Sequence, residues 1–189
     1  MEDLLSEPTS AADLFNIAKK RCNVFQYDDL KDFDEMDDLY YEGNSEITNE
    51  YPNKDLPFDD NAIILLYKSE PNFGHWTMVT RNGHGYHYLD SYGEPVDKPL
   101  DYIEEDFKEE SGQDIPYLAN LLLDTGRDVY YNSEHLQELN PDISTCGRYC
   151  AIFLKYSDMD IDKFSDKIKK MSEKYDISND ELISLLTTL

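Results

Sequence analysis

Two of the chain's three cysteines, Cys146 and Cys150, sit four apart in "ISTCGRYCA". A thiol does nucleophilic chemistry only when a base activates it, a third group orients that base, and donors await the oxyanion. The sequence offers a residue for each role. His75 precedes Trp76 in "HWTMVTR", Asp90 lies in "YLDSYG", Gln137 lies in "HLQELNPDIS", and Cys146 follows Ser144 and Thr145. Either of that pair can cap a helix starting at the cysteine, where unpaired N–H groups and the helix dipole favour a thiolate. Gly147 lets a substrate approach the backbone closely, and the N–H there can donate to an oxyanion. The Gln137 carboxamide is the candidate second donor, with Asn132 and Asn140 as alternatives. Cys150, one turn deeper among Ala151, Phe153 and Leu154, reads as a protonated core thiol.

Each residue has a plainer reading: a strand histidine is usually structural, a helix cysteine usually core, a loop glutamine usually solvated. Their joint occurrence in this order favours the catalytic one. A zinc site built from Cys22, Cys146 and Cys150 is the weaker alternative. The C-x₃-C spacing suits one helical face better than a tetrahedral knuckle, and only His135 lies near in sequence. No metal site is assigned, and no cofactor is called for.

The elements that must position these groups begin with "AIILLYKS", an apolar run suited to a buried strand. Two strands follow around Asn82-Gly83, a type I′ turn signal. A turn centred there sets His75 opposite Asp90, on one face of the ladder, so the carboxylate can accept a hydrogen bond from the imidazole. His84 and His87 have no such partner. "KPLDYIEEDFKEE" spaces Leu100, Ile103 and Phe107 along one helical face. "IPYLANLLLDTG" predicts a helix between Pro116 and Gly126, and "RDVYYN" a further strand. The cysteine helix starts near Ser144, and two more helices close the chain. The pattern is α+β: a small mixed or antiparallel central sheet flanked by helices, with the cysteine helix packed on it. Residues 1–60 read as an acidic arm with a short helix after Ser10, docked on the core or partly flexible. Residues 61–189 read as the catalytic domain.

At 189 residues the chain suits one domain with a sizeable core. Its 17 Lys and Arg against 41 Asp and Glu give a net charge of −24. Such a surface repels nucleic-acid backbones and anionic membranes; it suits a basic peptide or protein as partner or activator, or serves solubility alone. The acidic start "MEDLLSEPTS" lacks a cationic leader, and no apolar run is long enough to span a bilayer. The low, odd cysteine count argues against a disulfide scaffold. The aspartates of the arm lack the register of a calcium loop.

His-Trp, Asp-Ser-x-Gly, Gln and Cys-Gly, in that order, resemble the cysteine protease family that includes the adenovirus maturation protease and the SUMO-specific proteases. "YYNSEHLQELNPDISTCGRYCA" looks closest to the capsid maturation proteases of virophages such as mavirus and of Polinton-type elements. The resemblance covers residues 60–158. It implies a papain-like core of the adenovirus-protease type, and peptide hydrolysis through a thioester. Carried over, Cys146 is the nucleophile, His75 the general base and then acid, Asp90 its orienter, and Gln137 the oxyanion donor. Trp76 lines a narrow cleft that favours Gly-containing sites. The implied protein is a viral endopeptidase that cleaves capsid or other structural precursors during virion maturation, in the virion and the host-cell cytoplasm (the viral factory).

Two departures stand out. The gap from Gln137 to Cys146 is longer than the family's, so "ELNPDIS" must make a loop excursion. Trp76 is the chain's one Trp, so the second Trp that clamps glycine in the SUMO-specific proteases is missing. The DNA cofactor of the adenoviral enzyme does not carry over to so acidic a chain. Two rival expectations remain: a deSUMOylase- or deubiquitinase-like isopeptidase, and a non-enzymatic acidic binding module.

Overall fold

The computed structural model describes residues 2–50 and 54–188. The chain opens with α1 (Glu2–Ser6) and α2 (Ala11–Ala18). Ser10 caps α2 through a capping box, its hydroxyl accepting from the Asp13 N–H and its own N–H donating to the Asp13 carboxylate. β1 (Arg21–Gln26), two 3₁₀ turns and α3 (Glu46–Glu50) complete the acidic segment. The strands β2 (Phe58–Glu70), β3 (Phe73–Asn82) and β4 (Gly85–Leu89) form a meander. Next come α4 (Glu105–Glu110), α5 (Tyr117–Asp124) and β5 (Val129–Tyr131). The chain closes with α6 (Cys146–Lys155), α7 (Ile161–Tyr175) and α8 (Asn179–Thr187).

These strands make one mixed sheet in sequence order. The β2–β3–β4 meander is antiparallel, and β1 and β5 join its two edges in parallel. Alternation along β2 separates two cores. Ile64 faces the helical layer, packing with Leu14, Phe15, Phe153, Ile161 and Ile183. Its neighbours Ile63, Leu65 and Tyr67 face an aromatic layer with Tyr27, Tyr40 and Tyr88. The α+β class with a mixed sheet between helices is what the sequence pattern predicts.

Three local expectations need correction. The hairpin turns at Gly83–His84, not Asn82-Gly83: Asn82 pairs with Gly85, and Met78 with Leu89. The Asn82 side chain accepts the His84 N–H at 2.8 Å and donates to Asp160, which holds Asn82 in the strand. The single helix expected over 98–110 is two pieces, a 3₁₀ turn (Lys98–Tyr102) and α4, with Ile103 extended between them. Burial of Leu100 and Ile103 in the aromatic layer overrides the helical pattern there. Finally, the boundary at residue 60 falls inside β2, and the acidic segment contributes to both cores.

Phe15 is 1% exposed within the helical core. Phe15→Ala is expected to cost about 3–5 kcal/mol in a urea titration. A loss below about 1 kcal/mol would show that the segment is only loosely docked.

Candidate active site

β3 presents His75 and Trp76, and β4 ends just before Asp90. Because the ladder is shifted by two residues, its continuation sets His75 across from Tyr92, with Asp90 one step diagonal on the same face. Both contacts form. His75 Nε2 lies 2.9 Å from Asp90 Oδ1, and the Tyr92 ring stacks on the imidazole with centroids 4.9 Å apart. With Nε2 engaged, Nδ1 is the nitrogen left for the side-chain hydrogen bond between His75 and Cys146.

Asp90 is 1% exposed. Its Oδ1 also accepts the Tyr92 N–H at 2.8 Å. The Asn132 side chain clamps its backbone, accepting from the Asp90 N–H and donating to the Asp90 carbonyl. Asn132 is thereby spent on positioning. Asn140 lines the same groove as Cys146, and its side-chain oxygen accepts the Asp142 N–H.

Burial opposes charge on the His75 ring, but the hydrogen bonds and charges of Asp90 and Cys146 outweigh it and push the imidazolium pKa up to about 10. Burial likewise disfavours the Cys146 thiolate. The hydrogen bond and charge of His75, with the N–H groups of Trp76 and Gly147, overcome it and lower the thiol's pKa. Both shifts favour a thiolate–imidazolium pair. Cys22 and Cys150 are buried, and burial holds both thiols well above the ordinary range. Among the described residues no cluster of three or more His, Cys, Asp or Glu could hold a metal. His135 is exposed. His87 accepts the Ile161 N–H at 3.1 Å and ties β4 to α7.

The start of α6 departs from the expected capping. Thr145 occupies the N-cap position, yet its hydroxyl donates to the carboxylate of Asp180 on α8. Asp180 also accepts the Glu138 N–H at 2.8 Å and the Tyr149 hydroxyl at 3.3 Å. One buried carboxylate therefore ties α8 to the helix start and to the loop carrying Gln137. Nothing local marks Asp180 for this; in sequence it reads as an acid favouring the N-terminus of its own helix.

The loop excursion does bring Gln137 to the groove that holds Cys146. The Gln137 N–H bonds to the Ser91 carbonyl at 2.8 Å, and its Oε1 accepts the Ser91 hydroxyl at 2.7 Å. Its Nε2 donates to the Ile143 carbonyl at 3.1 Å, stapling the excursion, and to the Tyr92 hydroxyl at 3.2 Å.

The groove has a volume of about 960 Å³, with Thr9, Phe73, Trp76, Tyr102 and Leu139 among its walls. Trp76 Nε1 donates to the Thr9 carbonyl at 2.9 Å. Gly147 is buried and faces this segment rather than open groove. A Cβ built on it would lie 2.8 Å from Thr9 Cβ and 3.1 Å from Trp76 Cδ1. Its missing side chain makes room for the N-terminal segment.

No family model matches the chain. It is similar to the uncharacterized protein V9 of Sputnik virophage: 35% identical over 127 residues, covering 67% of this chain and 73% of that protein. The chain belongs to the family of that virophage protein.

Two outcomes follow from this geometry. Alkylation of Cys146 by iodoacetamide should stay fast well below the ordinary thiol pKa of about 8.5. It should be at least about tenfold slower at pH 6 in His75→Ala, which lacks the cation. Asp180→Ala leaves the Thr145 hydroxyl and the Glu138 N–H without their acceptor, while the Tyr149 hydroxyl keeps the Leu136 carbonyl at 2.9 Å. Urea denaturation should therefore show a loss of about 2–5 kcal/mol. Limited proteolysis should cut the 138–145 loop faster.

Proposed function

We propose that this virophage-family protein is a cysteine endopeptidase with a papain-like core of the adenovirus-protease type. Its substrates are capsid or other structural precursors, cleaved at Gly-containing sites during virion maturation. The observation that carries this reading is the chain of contacts Cys146–His75–Asp90, opening onto a groove of about 960 Å³.

The geometry supports the following steps. The Cys146 sulfur attacks the scissile carbonyl carbon; a C–S bond forms and the π pair moves onto oxygen, which becomes the oxyanion. The pair then returns, the C–N bond breaks, and the His75 imidazolium gives its proton to the departing amine. His75, now neutral, takes a proton from water as that water attacks the thioester. The C–S bond breaks, the carboxylic acid leaves, and the thiolate–imidazolium pair is restored. Asp90 keeps one imidazole nitrogen protonated and stabilises the cation throughout.

Incubation of the pure protein with the virophage's own capsid precursor should generate new N-termini at Gly-containing sites. Cys146→Ala should abolish this cleavage, and Asp90→Asn should slow it by about 10²–10⁴-fold. Activity should fall as pH rises through about 10, where His75 loses the proton that the leaving amine needs. Turnover of SUMO- or ubiquitin-linked reporters with no precursor cleavage would instead identify an isopeptidase. Full function of Cys146→Ala would identify a binding module.

A further inference from the structure

Gln137 holds the place expected of the oxyanion donor, yet its carboxamide protons are committed. One goes to the Ile143 carbonyl and the other to the Tyr92 hydroxyl, and the residue is 1% exposed. Tyr92 is the opposite case. Its hydroxyl accepts from Gln137, and among the described residues its own proton reaches no acceptor. The phenol is fixed at both ends, its ring stacked on His75 and its oxygen held by Gln137. It lines the same groove as Cys146.

We propose that the Tyr92 hydroxyl is the side-chain donor to the oxyanion, with Gln137 acting as the positioning residue behind it. The assignment deepens the endopeptidase reading and rests on it. Burial and the negative charges of Cys146 and Asp90 push the phenol's pKa up to about 12, so its proton stays in place beside a thiolate. As the Sγ–C bond forms, the O–H donates a hydrogen bond to the carbonyl oxygen, whose charge grows. No proton moves, and the bond relaxes when the pair returns and the amine or alcohol leaves. A donor aimed at developing charge is worth about 10²–10³ in kcat. Because Gln137 donates to the phenol oxygen, it polarises the O–H and strengthens that donation.

Tyr92→Phe keeps the ring on His75 and removes only the hydroxyl. Two probes then separate the roles. Iodoacetamide alkylates the thiolate by displacement at a saturated carbon and generates no oxyanion; p-nitrophenyl acetate acylates it through one. In Tyr92→Phe the alkylation rate should match the wild type within about twofold, while acylation of Cys146 falls at least about tenfold. Peptide turnover should lose kcat with KM little changed. Gln137→Ala should show the same split between probes. Wild-type acylation by Tyr92→Phe would overturn the proposal. So would an equal loss with both probes, which would place Tyr92 behind His75 instead. If the split holds but no precursor or peptide is cleaved, the endopeptidase reading falls and the oxyanion site stands.

Discussion

An ionised carboxylate at the end of a sheet strand, almost wholly out of water, is costly unless every part of it is answered. Asp90 is in that position and is answered in part: its Oδ1 takes both side-chain contacts, while its buried Oδ2 has no hydrogen-bond partner among the described residues. Its side chain is met by the Tyr92 N–H and the His75 ring, and its backbone by both ends of the Asn132 amide. Low exposure weakens solvent screening, so the carboxylate acts on His75 far more strongly than the acidic surface does. A net charge of −24 says little about the chemistry; this single carboxylate fixes the imidazole plane, its tautomer and the nitrogen turned to the sulfur.

A second buried carboxylate does comparable work from the far end of the chain. Asp180 takes the Thr145 hydroxyl that would otherwise cap α6, leaving N–H groups at the helix start without a side-chain partner. The Gly147 N–H reaches the Cys146 sulfur instead. Giving up a cap costs about 1 kcal/mol of helix stability. Here the contacts among α6, α8 and the Gln137 loop offset that cost, and the exposed dipole end is kept for the thiolate.

Much of this was legible in the sequence. Period-two alternation, Gly and Pro punctuation and polar helix starts are local signals, and they located the meander, α5, α6, α7 and α8. The residue types at 75, 90, 137 and 146, with their order, pointed to one constellation, and the structure brings all four to one groove. What escaped was set by contacts between distant segments. The hairpin register moved by two because Asn82 spends its side chain on His84 and Asp160 rather than on a left-handed turn. Since the shift was even, the facing of the side chains survived, and Asp90 still met His75. Tyr92 was invisible for the same reason: only the true register sets it across from the histidine. Gly147 carried a correct signal of close approach, but the approaching group is Thr9.

The N-terminal segment also sets an order of assembly. The Ser144 N–H, two residues before the nucleophile, bonds to the Leu5 carbonyl at 2.7 Å, while Thr9 sits against Trp76 and Gly147. Asp180 holds the other side of the same helix start from near the chain's last residues. Both termini thus meet over one thiol. The contact between Leu5 and Ser144 closes one of the longest loops in the fold, and contacts of that span form late and slowly. The Asp180 brace on Thr145 spans only 35 residues. During synthesis the wall around Thr9 leaves the ribosome well before the brace at Asp180. A growing chain therefore carries the nucleophile, its base and its orienter before it carries the brace at Asp180, and the helix start is fully held only once that residue has emerged.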